Sequence, residues 1–274
     1  MTMLRAALVQ LRTPASQAGA LAQAEPLVRQ AASQGAQLVL TPEGSNLLQR
    51  DKPALFAAVR TAEDDPFVLA MRALARELRL WLLIGSALVK REDGQLANRS
   101  MLVGDDGTIK ATYDKIHMFD VDLPTGERHR ESSLYTPGER SCVASTPWGR
   151  LGLTVCYDIR FPHLYRGLAK AGAEMISVPA AFTRPTGEAH WEVLLRARAI
   201  ETGAYVLAPA QGGMHEDGRG TWGRSTIVGP WGQVLAKADH DEPGVVVADL
   251  DLEEVAKARA AIPALANDRA FVAP

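Results

Sequence analysis

The feature that most constrains the fold is a repeated alternation between short apolar segments and longer segments with helical periodicity. RAALVQL, AQLVL and LWLLIGSALVK are rich in branched apolar residues and predict strands, some of them apolar on both faces. Residues 16–34 and 66–79 repeat apolar side chains every three to four positions, which predicts amphipathic helices. Strands that are apolar throughout must be covered on both faces. The pattern therefore predicts a layered α/β protein with a mixed sheet and helices outside.

Composition and organisation limit the class of protein. The 274 residues contain no repeat, low-complexity tract or linker, so we expect one domain over residues 1–274. A net charge of −2 gives no electrostatic reason to expect nucleic acid or an acidic membrane as partner. The opening MTMLRAALVQL is unlike a signal peptide, and no apolar run approaches the roughly 20 residues of a membrane helix. Two cysteines make no disulfide framework, so we expect a cytoplasmic protein.

Cys156 is the strongest candidate for a nucleophile. It ends the apolar segment GRLGLTVC and is followed at Phe161-Pro162 by the start of a predicted helix. A nucleophile on a strand-to-helix turn stands exposed beside backbone N–H groups, and a helix N-terminus favours a thiolate. The competing interpretation is a small buried hydrophobe at a strand end, which free cysteine often is. Cys142, in the alternating segment SCVAST, is predicted to be such a packing residue.

Glu43 and Lys115 are candidates for the base and the cation that a thiol requires. Glu43 ends LVLTPE, where partial burial is expected to raise its pKa toward the range of a general base. Lys115 follows the strand-like TIKATY, where its ammonium could stabilise an oxyanion. Taken singly, each is equally well explained as a solvated surface residue. No histidine lies in an obvious relay, and no close-spaced cluster of His, Cys and acidic residues suggests a metal site.

Three segments of the chain together resemble the catalytic motifs of the nitrilase superfamily of carbon–nitrogen hydrolases. They are LTPE around Glu43, YDKIHMFDVDLP around Lys115, and GLTVCYDIRFPHLYRGLAKAGAE around Cys156. The resemblance covers essentially the whole chain and implies a four-layer α-β-β-α sandwich that forms a homodimer or a larger assembly. It also implies a Glu43–Lys115–Cys156 triad without metal or cofactor.

A second glutamate belongs to the site of this family, and Glu131 in RHRESSLYTPGE matches it, with Glu127 and Glu139 as neighbouring alternatives. The resemblance implies that Glu131 positions Lys115 and the substrate. It also implies that the backbone N–H of Tyr157 helps Lys115 to bind the oxyanion. Glu139 is disfavoured because it follows the turn at Pro137-Gly138.

The residue after the nucleophile indicates the branch of the superfamily. Nitrilases have Trp-Glu there, whereas this chain has Tyr157-Asp158, which favours an amidase. The block PAAFTRPTGEAHWEVLLRARAIETGAYVLAPAQGG is similar to the Nit subgroup, which contains deaminated-glutathione amidases and ω-amidases acting on α-ketoglutaramate and α-ketosuccinamate. HWEVLLRARAIE and the glycines after Gln211 favour the first activity. N-carbamoyl amide hydrolysis is a further alternative.

Two non-hydrolytic classes are disfavoured. A binding protein that keeps the fold without the chemistry would be expected to have lost a member of the triad. A thiol-redox protein would need a resolving partner, and Cys142 and Cys156 do not form a Cys-x-x-Cys pair.

Substrates of both Nit activities carry carboxylates, for which the sequence offers candidate partners. Arg160, four residues after the nucleophile, could grip a carboxylate in a bidentate manner or instead pair with Asp158. Phe182, Thr183 and Thr186 follow the next predicted strand and are expected to line the pocket. His190 and Trp191 are expected to anchor their helix in the core.

Overall fold

A computed structural model describes residues 3–123 and 126–272 of the chain. These residues form sixteen strands and six α-helices. The strands are β1 Met3–Gln10, β2 Leu38–Leu40, β3 Trp81–Lys90, β4 Leu96–Val103, β5 Ile109–Asp114, β6 Asp120–Asp122, β7 Arg128–Arg130, β8 Cys142–Thr146, β9 Gly149–Leu153, β10 Met175–Ser177, β11 Tyr205–Ala208, β12 Gly212–Met214, β13 Gly220–Trp222, β14 Thr226–Val228, β15 Val234–Lys237 and β16 Gly244–Asp251. The helices are α1 Gln17–Ser33, α2 Lys52–Ala58, α3 Pro66–Leu78, α4 Pro162–Lys170, α5 Arg184–Thr202 and α6 Glu253–Ala261.

Two mixed six-stranded sheets form the centre of the molecule. Their strand orders are β16-β1-β2-β3-β4-β5 and β15-β14-β11-β10-β9-β8. In the first sheet β1, β2 and β3 are parallel, and β4 and β5 extend the sheet as antiparallel hairpins. In the second sheet β9, β10 and β11 are parallel. The β4–β5 turn contains Asp106 and Gly107, and the left-handed φ of +76° at Gly107 explains why glycine is used there. The hairpin predicted at this position is confirmed.

Alternate side chains of the first sheet point either to the helices on its outer face or to the second sheet on its inner face. Val9 and Val39 belong to an apolar cluster with side chains of α1 and α3, including Val28 and Met71. Their neighbours along the strands point to the other face and join a second cluster that contains the second sheet, α4 and α5. This period-two division follows from the pleat of a strand. The layers are therefore helix, sheet, sheet and helix, which confirms the α-β-β-α sandwich.

Local capping explains where the two helices on the first sheet begin. The side chain of Ser16 accepts a hydrogen bond from the N–H of Gly19 at the start of α1. Asp65 accepts from the N–H of Val68, and Pro66 occupies the first turn of α3. Capping oxygens and an early proline satisfy or remove N–H groups that a helix start leaves unpaired. Both helices predicted from the periodicity are confirmed within two residues.

Candidate active site

The candidate site lies where strand ends from both sheets meet. Glu43 follows β2 and Lys115 follows β5 in the first sheet, while Cys156 follows β9 in the second. Because β5 runs in the same direction as β2 and β3, all three side chains emerge from carboxyl ends of strands. A cavity of about 800 Å³ opens at this edge, and Glu43, Lys115, Glu131 and Cys156 contribute to its lining. The structure therefore brings all four residues of the predicted catalytic set together.

The backbone at Cys156 is held in a conformation that L-residues rarely adopt. Its φ is +51°, in the left-handed region, and its N–H donates to Pro179 O at 2.8 Å. A short 3-10 turn over Cys156–Arg160 follows and leads into α4 at Pro162. Such a non-glycine position costs about 1–3 kcal/mol and persists only where the surroundings enforce it. The strand-to-helix turn predicted for this segment is confirmed, and it presents the thiol to the cavity.

Asp158 ties this turn to the segment that carries Lys115. Its buried carboxylate accepts hydrogen bonds from the Tyr113 hydroxyl and the Val155 N–H, at 2.7 and 2.8 Å. It also lies 2.7 Å from His117 Nδ1 and accepts from the His117 N–H at 3.1 Å. Tyr113 and His117 stand two residues before and after Lys115. One carboxylate therefore fixes the distance between the nucleophile turn and the lysine.

Lys115 is shared by two carboxylates. Its ammonium donates to Glu43 Oε1 at 2.9 Å and to both oxygens of Glu131 at 2.9 and 2.8 Å. The lysine is only 2% exposed. Of the three glutamates considered, the structure brings Glu131 to Lys115, whereas Glu127 lies beside His129 and Glu139 is exposed. Glu131 also accepts from the backbone N–H of Phe119 at 2.7 Å, which fixes its orientation.

The expectation of a raised pKa at Glu43 is wrong. Burial would raise the pKa of this carboxyl, but the Lys115 ammonium and hydrogen bonds from the Cys156 thiol, Lys115 and Asn98 together lower it below the usual value. Its Oε2 also accepts from the N–H of Ala181 at 2.9 Å. Charge pairing and donors outweigh desolvation here. Glu43 is therefore ionised at neutral pH and can accept a proton.

The thiol and the ammonium respond to burial in different ways. Burial raises the pKa of the Cys156 thiol well above its usual value, the Glu43 carboxylate adds to this effect, and Lys115 opposes it. Burial would lower the pKa of Lys115, but Glu131 and Glu43 raise it well above the usual value. The resting site thus holds a neutral thiol, an ionised carboxylate and a permanent cation, all in the lining of one cavity. This arrangement suits a thiol that loses its proton as it attacks.

Asn98 is a residue of this site that the sequence reasoning missed. Its amide nitrogen donates to Glu43 Oε1 at 2.9 Å and to Glu131 Oε1 at 3.2 Å. It lies on β4, where nothing in the sequence LANRSMLV distinguishes this asparagine from the polar residues that follow it. We call Glu43, Asn98, Lys115, Glu131 and Cys156 together the charged floor of the cavity.

The predicted substrate-binding residues divide into two groups. Tyr157, Phe182, Thr183 and Thr186 line the cavity, and the hydroxyls of the two threonines lie 2.8 Å apart. Arg160 is not part of the described cavity wall. Its guanidinium lies 5.4 Å from the Phe182 ring centroid and 6.0 Å from that of Tyr157, behind both rings.

Arg160 contacts His190 on α5 and not Asp158. Arg160 Nη2 lies 3.3 Å from His190 Nδ1, and the Asp158 carboxylate is occupied by Tyr113, Val155 and His117 instead. The expectation that His190 anchors α5 in the core is wrong, because His190 is exposed.

Two packing predictions are confirmed. Trp191 is 1% exposed, and its indole N–H donates to Arg224 O at 2.9 Å. Cys142 is a partly buried free thiol that packs against the central core.

Arginine side chains dominate the outer wall of the cavity. We call Arg50, Arg128, Arg130, Arg184 and Arg219 the arginine rim. Arg128 and Arg130 pair with Asp122, Arg184 pairs with Asp241, and Arg50 is exposed.

Arg219 is held more firmly than its neighbours in the arginine rim. Its side chain is 27% exposed, against 79%, 49% and 50% for Arg128, Arg130 and Arg184. Nε and Nη2 contact Asp217 Oδ2 at 2.7 and 2.6 Å, and the Asp217 side chain is itself buried. Asp217 therefore orients the guanidinium of a residue that lines the cavity, and an oriented guanidinium suits a carboxylate ligand.

The sequence of this chain is similar to those of known proteins. A sequence profile described as "Carbon-nitrogen hydrolase" matches residues 5–260. The deaminated glutathione amidase of Yersinia enterocolitica is 44% identical over 266 residues, which are 96% of this chain and 92% of that protein. The omega-amidase of Homo sapiens is 36% identical over 269 residues, which are 98% of this chain and 96% of that protein.

A solved structure adds a chemical observation on a relative. The amidase of Nesterenkonia sp. AN1 is 29% identical, with a TM-score of 0.80 over 97% of this chain and 94% of that chain. Its glutamate-to-glutamine mutant shows covalent addition of the acetamide moiety of fluoroacetamide at the active-site cysteine.

Proposed function

We propose, starting from the fact that the chain belongs to the carbon–nitrogen hydrolase family, that Cys156 is the nucleophile of its amide hydrolysis. The family and the amidase relatives make the chain a hydrolase of carbon–nitrogen bonds in non-peptide amides. The observation that carries the proposal is that the Cys156 thiol and an ionised Glu43 carboxylate line the same cavity, with the Lys115 ammonium hydrogen-bonded to the carboxylate. A thiol needs such a base at hand to attack an amide.

The first half of the reaction forms a thioester. Glu43 takes the thiol proton as Cys156 Sγ attacks the amide carbon. The negative charge that develops on the carbonyl oxygen is bound by the Lys115 ammonium and the Tyr157 N–H. Glu43 then gives its proton to the departing nitrogen, and ammonia or an amine leaves. Glu131 keeps Lys115 in place throughout.

The second half hydrolyses the thioester with the same groups. Glu43 takes a proton from a water molecule that attacks the acyl carbon, and Lys115 again binds the oxyanion. Collapse of this second intermediate expels the Cys156 sulfur, which recovers the proton from Glu43. The acyl group leaves as a carboxylic acid, and the enzyme returns to its resting state. Every proton that Glu43 accepts is donated again within one cycle.

The substrate we propose is deaminated glutathione, a small amide with a carboxylate at each end. The 44% identity to an amidase of that name supports this choice. The arginine rim supports it independently, because guanidinium groups around a cavity favour anionic substrates. The alternative is ω-amidase activity on α-ketoglutaramate or α-ketosuccinamate, which the 36% identical relative favours. N-carbamoyl amide hydrolysis is a third candidate.

The proposed function is tested by comparing two substrates and two cysteine variants. Wild type is expected to cleave deaminated glutathione faster than it releases ammonia from α-ketoglutaramate. Cys156→Ala is expected to abolish both activities, while Cys142→Ala, the matched control in the second sheet, retains them. A faster reaction with α-ketoglutaramate would make the chain an ω-amidase. Activity that survives in Cys156→Ala would refute the nucleophile.

We further propose that the protein is a cytoplasmic homodimer or larger homo-oligomer that binds no nucleic acid or membrane. No helix within residues 3–123 and 126–272 has the length and apolar character that crossing a bilayer demands. Val193 and Ile200 lie on one face of α5 and are 69% and 56% exposed, and the nearby Trp231 is 60% exposed. An apolar patch of this kind supports an association surface. Sedimentation of wild type and Val193→Asp tests the proposed assembly: the variant is expected to associate more weakly, and a monomeric wild type would contradict the proposal.

A further inference from the structure

The charged floor places two carboxylates against a single ammonium. Glu43 and Glu131 both contact Lys115, so the three groups carry a net charge of −1 in a place that excludes most water. Like charges this close repel each other, and burial strengthens the repulsion. A further donor between the two carboxylates is therefore needed to hold both of them in position. The structure provides one such group in the side chain of Asn98.

We infer that Asn98 is a positioning residue, whose amide holds Glu43 and Glu131 together and keeps Glu43 turned toward Cys156. This inference rests on the function proposed above. Asn98 Nδ2 is 2.9 Å from Glu43 Oε1 and 3.2 Å from Glu131 Oε1. Each amide hydrogen thus serves one carboxylate. Asn98 itself is 3% exposed, so water cannot easily replace it.

The other end of the Asn98 side chain shows what this arrangement costs. Its Oδ1 is buried and has no hydrogen-bond partner among the described residues. An unpaired buried acceptor is unfavourable by about 1–3 kcal/mol. Rotating the amide by 180° would place Oδ1, an acceptor, against two carboxylate oxygens that can only accept. The orientation is therefore dictated by the two glutamates, and the unpaired oxygen is its consequence.

The bond from Asn98 also determines which Glu43 oxygen faces the thiol. Oε1 is occupied by Asn98 and Lys115, while Oε2 accepts from Ala181 N–H beside Cys156. Without the amide, Oε1 would depend on Lys115 alone, and Lys115 has Glu131 as a second acceptor. Glu43 would then be freer to rotate and would bind a proton more readily. The titratable or charged groups near Glu43 are Lys115, Cys156, Glu131 and Tyr135.

The test compares Asn98→Leu with Ser100→Ala. Leucine has a similar volume but no donor, and Ser100 is the next buried polar residue on the same face of β4, with one long bond to Ile84 O. The readout is the rate at which chloroacetamide alkylates Cys156 as a function of pH, in a Cys142→Ala background. We expect this rate to be increased by Glu43 acting as a base, and it does not depend on the natural substrate.

For Asn98→Leu we expect the acidic limb of the alkylation profile to move up by about one pH unit. At pH 7 we expect kcat/KM for the best amide to fall about 10- to 100-fold, with KM changed less than kcat. Ser100→Ala should leave the limb in place. An unmoved limb in a folded Asn98→Leu protein would overturn the inference, even if the protein melts at lower temperature.

Two further results separate this inference from the proposed function. If Asn98→Leu does not fold, Asn98→Ser removes the amide with a smaller change in apolar surface, and the same shift is expected. If wild-type alkylation shows no dependence on Glu43, tested with Glu43→Gln, the proposed function fails. An acidic limb of the alkylation profile that changes in Glu43→Gln but not in Asn98→Leu refutes the inference about Asn98 and leaves the proposed function standing.

Discussion

The charged floor and the arginine rim are two ends of one cavity, built by different means. In the floor, Glu43, Lys115 and Cys156 follow strands of the two large sheets, Asn98 lies within β4, and Glu131 opens a 3-10 turn after β7. These side chains are almost fully buried, and they bond to backbone groups or to each other. Rim arginines stand on a loop, on short hairpins and at the start of α5, and four of the five are exposed. The difference suggests that reaction type is fixed by the sandwich, whereas substrate choice depends on surface loops that can change without disturbing it.

The largest expected effect is at the nucleophile. Cys156→Ala should lower kcat/KM by at least about 10⁴-fold for every amide that wild type hydrolyses. Alanine removes only the sulfur atom and meets the same backbone restriction as cysteine at a φ of +51°, so the substitution should leave the fold intact. Initial rates with several amides, with circular dichroism as a check of folding, measure this effect. Hydrolysis of some amides by Cys156→Ala would mean that a second nucleophile outside the floor also acts.

Two floor substitutions should separate activity from stability. Lys115→Met leaves two buried carboxylates without their cation and should destabilise the protein by about 3–5 kcal/mol. Glu43→Gln leaves Lys115 paired with Glu131 but turns an amide NH2 toward a group that donates to Glu43, so it should be destabilised less, by about 1–3 kcal/mol. Both should lose at least about 10³-fold in kcat. Urea unfolding measures the free energy of unfolding of both variants. Equal values would contradict the claim that Lys115 neutralises two buried carboxylates.

Glu43 should also determine the pH range of activity. Its pKa is lowered in the folded protein, so the carboxylate stays ionised as pH falls through the ordinary range of carboxyl groups. Activity is therefore expected to persist to pH values below about 4.5 and to be lost only as pH falls through the lowered value. Profiles of kcat/KM under conditions where the protein stays folded measure this. An acidic limb near pH 6 would contradict the electrostatics of the floor.

A rim substitution should change selectivity more than catalysis. Arg219→Gln is expected to lower kcat/KM about 10-fold for a carboxylate-bearing amide but less than twofold for a neutral amide such as propionamide. Asp217→Asn should reproduce part of this loss, because Asp217 orients the guanidinium. The ratio of the two rates is the measurement. Equal losses of kcat/KM for both amides would show that Arg219 acts in catalysis and not in recognition of the carboxylate.

The smallest effect is expected at Arg128, an exposed member of the rim. Arg128 is 79% exposed, and its contact with Asp122 is 3.5 Å long. Arg128→Ala should change kcat/KM less than about twofold at 0.15 M salt, because water and ions screen such charges. Kinetics at low and moderate ionic strength check this. A loss comparable to that of Arg219→Gln would show that the whole rim acts as one site.

The sequence predicted the layered fold and the strand-end placement of Glu43, Lys115 and Cys156, because these depend on local pattern and on recognisable motifs. It could not predict Asn98, since a single asparagine in an apolar strand carries no information about the glutamates that reach it. The pKa of Glu43 was predicted in the wrong direction. Burial is visible in a pattern, whereas the number of donors around a carboxylate depends on tertiary contacts.

Arg160 and Arg219 show the same limit at the edge of the site. Its position four residues after Cys156 offered Arg160 two partners, a substrate carboxylate or Asp158, whereas the structure places its guanidinium over the Phe182 ring and near His190 Nδ1. Arg219 lies 63 positions from the nucleophile along the chain, and only the hairpin of β12 and β13 brings it to the cavity.

The most direct test of the central claim is to capture the acyl-enzyme. Wild type and Glu43→Gln would be mixed with deaminated glutathione, quenched in acid, digested and analysed by mass spectrometry. We predict an acyl group on the peptide that contains Cys156, longer-lived in Glu43→Gln, and none on the peptide that contains Cys142. Turnover of the amide with no acyl group on Cys156 at any time point would contradict the account.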